Sequence, residues 1–352
     1  MYTPRPVPPP AVYRWALPFA LLYGVGVWFR HLLFDRGVLK SERAVLRTVV
    51  VGNVAVGGTG KTPLTLLIAR ELGEAVGVER VAILSRGYRR TGEGFRTVEV
   101  EDGAEEVGDE PLMMKRAAPE FTVAVCADRL EGVRRLRAEH PGLQWVLLDD
   151  GLQHRRLRPD VAVAALDATR PVRGDALLPA GRLRDLPSRL RTCDAAVVTR
   201  CEEGADARAV AAELAEVPAE LPVWGVRAER TVFPELGAGE RPRVVAVAGI
   251  ARPERFFDGL ADRFDVCTTL SYRDHARFTA RDVQVWLAAC QTHRATGLVL
   301  TEKDAVRLGP LQDLLHDLPI WTERLTFAWL DPPRVRQELR ALLEAVPVRG
   351  ST

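Results

Sequence analysis

The stretch Val50-Val51-Gly52-Asn53-Val54-Ala55-Val56-Gly57-Gly58-Thr59-Gly60-Lys61-Thr62-Pro63 sets a glycine-rich turn between an apolar, β-branched run and a helical run. Strand, tight turn and helix in that order commit this part of the chain to an α/β layer, and the turn has the make-up of a phosphate-binding loop. Its glycines let successive backbone N–H groups point inward. Lys61 can then reach the outer phosphates of a nucleoside triphosphate, and the Thr62 hydroxyl is placed for Mg2+. The expected nucleotide-binding set is Ala55, Val56, Gly57, Gly58, Thr59, Gly60, Lys61 and Thr62. Ala55 stands where the strict pattern has its first glycine. Alanine does not readily take a positive φ, so the first bend is expected to differ from the commonest form of this loop.

Short runs of Val, Leu and Ile recur with helical stretches between them, at 48–51, 81–84, 121–125, 145–148, 161–166 and 195–199. That alternation predicts a parallel sheet covered by helices on both faces, the P-loop NTPase-like class, with functional loops at the carboxyl ends of the strands. A second set of elements begins near Arg243-Val244-Val245-Ala246-Val247, after a loop carrying Pro234, Gly237, Gly239 and Pro242. It predicts a smaller α/β domain, closed by a helix over 335–345 with Asp331 as its N-cap. At 352 residues two domains are the default expectation. The divisions expected are an amino-terminal helix within 1–35, a phosphate-loop core over 36–232 and the smaller domain over 233–352.

The amino-terminal apolar run 15–29 follows the proline-rich stretch 3–10 and is bordered by Arg14 and Arg30. It is short for a span, contains Pro18, and has no clean cleavage site after it, so a helix lying in a membrane interface, with Trp and Tyr at headgroup depth, is expected. The 49 basic residues against 47 acidic ones give no polycation, and nucleic acid is not expected as a partner. Cys126, Cys193, Cys201, Cys267 and Cys290 are odd in number and lack C-x-x-C spacing, which fits reduced thiols facing a cytoplasm.

Several clusters fall at strand ends. Asp149 and Asp150 close the run 145–150 where phosphate-loop enzymes hold magnesium, and Gly151-Leu152-Gln153-His154-Arg155 follows. Asp109 and Glu110 open a short helix whose dipole favours their anionic forms, as catalytic groups or as ordinary helix-start acids. His275, in Asp274-His275, is a side chain easily poised to tune a carboxylate base, or a surface histidine. Ser85-Arg86-Gly87-Tyr88-Arg89-Arg90 gathers basic charge and an aromatic ring, able to clamp an anion or to stand solvated. Thr301-Glu302-Lys303-Asp304 ends a strand of the second domain, as a nucleotide contact or a helix cap.

Taken with Gly108-Asp109-Glu110-Pro111 and Leu178-Pro179-Ala180-Gly181-Arg182-Leu183-Arg184, these motifs closely resemble, in order and spacing, the tetraacyldisaccharide 4'-kinases of lipid A synthesis. The resemblance implies transfer of the γ-phosphoryl group of ATP, with Mg2+, to the 4'-hydroxyl of a tetraacylated glucosamine disaccharide 1-phosphate. It places the enzyme, peripheral or monotopic, at the cytoplasmic face of the inner membrane, with no obligate protein partner. It makes Asp109 and His275 a base dyad that meets only when the domains close, with Asp109 taking the sugar's proton and Lys61 completing the catalytic set. It places Glu110, Arg129 and His154, with Arg86 and Gln153, near substrate or phosphates, and Tyr88 near nucleotide. Arg86 or Arg129 is expected to face the developing charge. Metal ligands expected are Thr62, Asp149 and Asp150, joined by Asp185, which stands where relatives carry a longer glutamate. A P-loop switch or motor ATPase without a lipid acceptor, or a non-catalytic membrane scaffold, are the competing readings, and the acceptor distinguishes them.

Overall fold

Helix α1 (Leu17–Asp35) follows one 3-10 turn and continues past Arg30 and His31, where the apolar run ends. It continues because its last turns bury His31 and Phe34 instead of facing solvent. The computed structural model describes residues 10–237, 239–315 and 318–349, so most of the proline-rich stretch lies outside the described residues. After the short strand β1 (Glu42–Arg43), the central strand β2 (Arg47–Gly52) feeds the glycine-rich turn and helix α2 (Lys61–Val76). Leu64, Ile68 and Leu72 repeat every four residues and bury one face of α2. The helix stops at Gly77, whose φ of 99° disfavours any side chain.

Strand β3 (Val81–Ser85), strand β4 (Arg96–Thr97), helices α3 (Ala104–Val107) and α4 (Asp109–Ala117), and strand β5 (Thr122–Val125) come next. Helix α5 (Arg129–Glu139) starts on Asp128, whose carboxylate accepts the Leu130 and Glu131 N–H groups, a standard helix cap. Strands β6 (Trp145–Asp149), β7 (Leu157–Arg158), β8 (Val161–Asp167) and β9 (Ala195–Thr199) and helix α6 (Ala207–Leu214) complete the first half. The second half holds β10 (Val223–Phe233), β11 (Arg243–Ala248), α7 (Pro253–Asp258), β12 (Asp265–Ser271), α8 (Ala280–His293), β13 (Gly297–Thr301), α9 (Glu302–Ala305), β14 (Ile320–Trp329) and α10 (Pro332–Glu344).

Among the described residues twelve strands join in one sheet of order β12-β11-β13-β14-β10-β9-β8-β2-β6-β3-β5-β4. From β10 to β5 the pairs are parallel, which explains the near-continuous apolar strands: both faces are covered. The β2 face toward α2 joins Val49 and Val51 with Leu64 and Ile68, and the opposite face joins Val50 with Leu130, Val133 and Leu136.

Strand β10 links the halves. Its first residues, Val223 to Gly225, pair in parallel with β9, and the rest, Val226 to Phe233, pair antiparallel with β14. It therefore carries the chain beyond the carboxyl edge of the first half, while β14 and its parallel neighbours β13 and β11 run back toward that edge. The carboxyl edges of the two halves face each other, so the ligand-binding loops of both converge on one cleft. Helix α10 starts at Pro332, with Asp331 accepting the Arg334 N–H. Its Val335, Leu339 and Leu343 join the apolar cluster of α2, so the end of the chain returns to the first half.

Candidate active site

The floor of the cleft is the turn after β2. Ala55 pairs with Leu183 in an isolated antiparallel bridge, and Val56 N donates to Arg182 O at 2.8 Å. Ala55 is thus held extended against a neighbouring segment, a conformation alanine takes freely, and the positive-φ bends fall at Gly57 (98°) and Gly60 (81°) instead. Glycine is required at Gly60 for a second reason, since a Cβ there would meet the Phe327 ring at 2.6 Å. Asn53 ties the turn together: its Nδ2 donates to Thr59 Oγ1 at 2.9 Å and its Oδ1 accepts from Lys61 Nζ at 3.3 Å. Gly57, Gly58, Thr59, Lys61 and Thr62 line a cavity of about 1540 Å³.

Register places Asp149 beside Val51, so the acidic end of β6 emerges next to the loop. Asp149 is fully inside, with Oδ1 accepting from Thr65 Oγ1 at 3.1 Å. Burial, helped by the nearby Glu110 and Asp150 carboxylates, raises its pKa. Burial also opposes the charge on Asp150, but Lys61, 3.6 Å away, and Arg184 outweigh it and bring the pKa down to about 2. Arg184 grips both oxygens of Asp150 and also donates to Asn53 Oδ1 at 2.6 Å.

Of the four residues expected to hold metal, Asp185 is turned away. Its Oδ1 lies 2.6 Å from His31 Nε2 and accepts Leu186 N, and its Oδ2 lies 3.4 Å from Gln153 Nε2. The carboxylate serves to dock α1, and the adjacent Arg184 occupies the cleft. Arg129 lines the cavity, but its hydrogen bonds go to the backbone. Its guanidinium is buried and donates to Cys126 O at 2.6 Å and Asp149 O at 3.1 Å, tying the ends of β5 and β6 together. Burial lowers its pKa to about 10. Gln153 Nε2 donates to Asn53 O at 2.8 Å. Gln153 Oε1 and His154 Nδ1 are buried at the cavity wall without a protein partner.

The opposite wall is shared by the two halves. Asp109, the first residue of α4, meets His275 from the loop after β12, Oδ2 to Nδ1 at 2.8 Å. The two carboxyl edges bring this pair into contact without further domain movement. Gly108, at φ 97°, allows it: the backbone there lies against Gly87, so α4 starts close under the loop that carries Arg86 and Tyr88. Tyr88 stacks edge-on with His275, centroids 5.6 Å apart, and Arg86 lines the cavity. Glu110 Oε1 accepts from Lys303 Nζ at 3.1 Å, and Lys303 Nζ is also 3.1 Å from His275 Nε2. Burial works to raise the Asp109 pKa, yet the His275 hydrogen bond, Lys303 and Arg307 hold it well below the usual carboxylate range. Arg89, Asp150, Arg200 and His275 all adopt positive φ and all line the cavity. Left-handed backbone at non-glycine residues is costly, and its concentration here marks a site that the surrounding packing holds in place.

The arrangement is a phosphate loop with an acidic strand end on one wall and a carboxylate–imidazole pair on the other. Residues 12–344 match the family model described as Tetraacyldisaccharide-1-P 4'-kinase (LpxK). The chain belongs to the tetraacyldisaccharide-1-P 4'-kinase family. It is similar to the tetraacyldisaccharide 4'-kinase of Porphyromonas gingivalis, with 36% identity over 88% of this chain and 92% of that one. The Geobacter metallireducens tetraacyldisaccharide 4'-kinase is 38% identical over the same two shares. The crystal structure of LpxK from Aquifex aeolicus in complex with ATP is similar at a TM-score of 0.73 and 27% identity, covering 93% of this chain and 98% of that one. The chain is accordingly a phosphotransferase that uses ATP to phosphorylate the 4'-hydroxyl of the lipid A disaccharide precursor.

Sequence reasoning gave this 4'-kinase no role for Arg184 or Arg307, and left Lys303 within a motif read as a nucleotide contact or a helix cap. The signal for Lys303 was its place just past the carboxyl end of β13; Arg307, beyond the short helix α9, carried none.

Proposed function

We propose that the 4'-kinase reaction of this chain takes place between the glycine-rich loop and the Asp109–His275 pair, with the acylated disaccharide entering beside α1. The observation that carries the reading is the 2.8 Å contact of Asp109 with His275 across a cavity that the loop also lines. Phosphoryl transfer asks for positioning and charge neutralisation more than for covalent chemistry. Lys61 and the loop N–H groups hold the β- and γ-phosphates, and the sugar hydroxyl gives its proton to the Asp109–His275 pair as it attacks. The two side chains work as a hydrogen-bonded pair, with His275 sharing the charge that the Asp109 carboxylate carries. Arg86 and Arg129 both line the cavity, and with the Arg129 guanidinium donating to two backbone carbonyls, Arg86 is the one assigned to face the developing charge.

The donor set suits Mg2+. Among the described residues no three His, Cys, Asp or Glu side chains converge as a protein-only metal cage. Magnesium in kinases needs no such cage, since one or two carboxylates suffice when substrate phosphates and water complete the shell. The Thr62 hydroxyl and Asp149 would hold the ion, with Asp150 beside them, and the ion would neutralise the β- and γ-oxygens. The raised pKa of Asp149 among neighbouring carboxylates fits a position that a cation relieves.

Helix α1 has the length and apolarity to cross a membrane, with 22% of its most apolar window buried. It is nevertheless docked along one edge: Ala16 and Ala20 join Ala180 in a small cluster, Tyr23 Oη donates to Arg184 O at 2.8 Å, and His31 meets Asp185. Trp15, Phe19, Leu21, Leu22, Val25, Trp28 and Phe29 remain exposed, an apolar face larger than a water-soluble surface needs. We assign that face to the surface of the inner membrane, on its cytoplasmic side. Tyr23 and Arg30 of the same helix line the catalytic cavity, so an acyl chain in the bilayer and a sugar in the cleft are reached by one molecule. The test is to incubate the protein with ATP, Mg2+ and tetraacyldisaccharide 1-phosphate in mild detergent and weigh the lipid. Gain of one phosphate supports the reading. ATP hydrolysis with unchanged lipid transfers it to a switch or motor ATPase.

A further inference from the structure

The motif Thr301-Glu302-Lys303-Asp304, left without a role by the mechanism above, sits against the catalytic pair. Thr301 caps α9 by accepting the Asp304 N–H, and the fully buried Asp304 accepts Gly249 N at 3.0 Å, which fixes this turn to the loop after β11. From the braced turn two cations leave in the same direction. Arg307 Nε donates to Asp109 Oδ2 at 3.0 Å, and its Nη1 donates to Gly249 O at 2.9 Å and Asp304 Oδ1 at 3.0 Å. Lys303 Nζ lies 3.1 Å from both His275 Nε2 and Glu110 Oε1, and 3.5 Å from Asp274 Oδ1.

We propose that Lys303 and Arg307 are positioning residues of the 4'-kinase, Arg307 fixing the Asp109 carboxylate and Lys303 fixing the tautomer of His275. The inference rests on the reading of Asp109 and His275 as the proton-accepting pair. An ammonium only donates, so the His275 nitrogen facing Lys303 must be the acceptor, Nε2. The ring proton then belongs to Nδ1, which donates to Asp109 Oδ2 at 2.8 Å. The carboxylate then stands behind Nδ1–H, the order that orients an imidazole, while the one Nε2 lone pair is taken by Lys303, so the oxygen that accepts the sugar's proton belongs to Asp109. The charge on Lys303 is secure, because Glu110, Asp109 and Asp274 outweigh the effect of its burial and raise its pKa. Arg307 supplies the complementary restraint, since Asp109 Oδ2 already accepts from it and so cannot turn away from the ring. Its backbone-anchored guanidinium also fixes the distance between α4 and the loop after β11.

Nitrogen-detected NMR of the six histidines, with His275 identified by its loss in His275→Gln, reads the tautomer directly. Wild type is expected to show neutral His275 protonated at Nδ1, and Lys303→Met is expected to give a mixture of tautomers. An unchanged His275 spectrum in Lys303→Met overturns the inference. In kinetics, Arg307→Met is expected to lower kcat on the order of 10²-fold while the KM values for ATP and lipid change by less than about threefold, and Arg307→Lys is expected to restore part of the loss. Near-normal kcat in both Arg307→Met and Lys303→Met, with Asp109→Asn inactive, removes the positioning role and leaves the pair itself in place. If Asp109→Asn retains its turnover, the proton-accepting reading is what fails. Should Arg307→Met not fold, the cavity-lining Lys303→Met decides the matter alone.

Discussion

Arg184 holds Asp150 by both carboxylate oxygens, Nη1 to Oδ2 at 2.9 Å and Nη2 to Oδ1 in a still closer contact, while the neighbouring Asp149 accepts one hydroxyl. The two adjacent aspartates therefore have different work. Asp149→Asn is expected to raise the Mg2+ concentration needed for half-maximal activity by at least about tenfold, the scale of a lost charged ligand. Asp150→Asn should act by loosening Arg184 and Lys61, lowering kcat with a smaller change in Mg2+ requirement. Magnesium titrations of the two variants separate them, and equal titration curves would refute the division.

Lys61 bridges the loop and the acidic strand end, through Asn53 at 3.3 Å and Asp150 at 3.6 Å. Removal of a preorganised positive charge at a phosphate site costs on the order of 10²–10³-fold in rate. Lys61→Ala is expected to fall at least that far in kinase turnover, and unchanged turnover would discredit the loop as the triphosphate site. Ala55→Gly provides the control. Since Ala55 is held extended by its bridge to Leu183, glycine should leave activity within about twofold and weaken the fold by about 0.5–1 kcal/mol through backbone entropy.

Asp185 joins helix α1 to the catalytic half through His31 at 2.6 Å. Burial opposes its charge, but the His31 contact and the Leu186 N–H hold its pKa below the ordinary carboxylate value. A carboxyl depressed by folding stabilises the fold above its unfolded pKa of about 3.9, and the contribution is lost as pH falls through the folded value. Asp185→Asn should therefore destabilise at pH 7, by about 1–3 kcal/mol, and by progressively less as pH falls below 4. Denaturant melts across that range test the sign. The Mg2+ requirement should stay unchanged, and an increase would return Asp185 to the metal site.

The strands of the first half were legible in the sequence because buried parallel strands read as unbroken apolar runs, and the loop between Val50 and Pro63 announced its own geometry. The antiparallel return of β14 against β10 was not legible. Strand β14 carries Thr322-Glu323-Arg324 in the middle of its apolar residues, and nothing local tells a strand which partner it will find. With that return came the facing carboxyl edges, and hence the reason Asp109 and His275 meet. The contact of Asp185 with His31 was not legible either, because a loop next to an active site does not reveal which of two neighbouring side chains turns inward; here Arg184 lines the cavity. Arg307 was missed because an arginine two residues beyond a four-residue helix carries no pattern of its own.

The exposed aromatic face of α1 yields a prediction independent of chemistry. Trp15→Ser with Trp28→Ser and Phe29→Ser removes a large part of the apolar area without touching Ala16, Ala20 or His31, which dock the helix. Sedimentation with anionic vesicles should fall markedly, while kinase activity on substrate dispersed in detergent stays near normal. Equal vesicle binding would show that another surface meets the bilayer.

Asp109 carries the account. Rapid-quench single-turnover transfer of labelled phosphate from ATP to tetraacyldisaccharide 1-phosphate, with wild type and Asp109→Asn at saturating ATP, isolates the step in which the sugar loses its proton. The expected result is a transfer rate lower by about 10²–10⁴-fold with ATP affinity little changed. Transfer at the wild-type rate would contradict it.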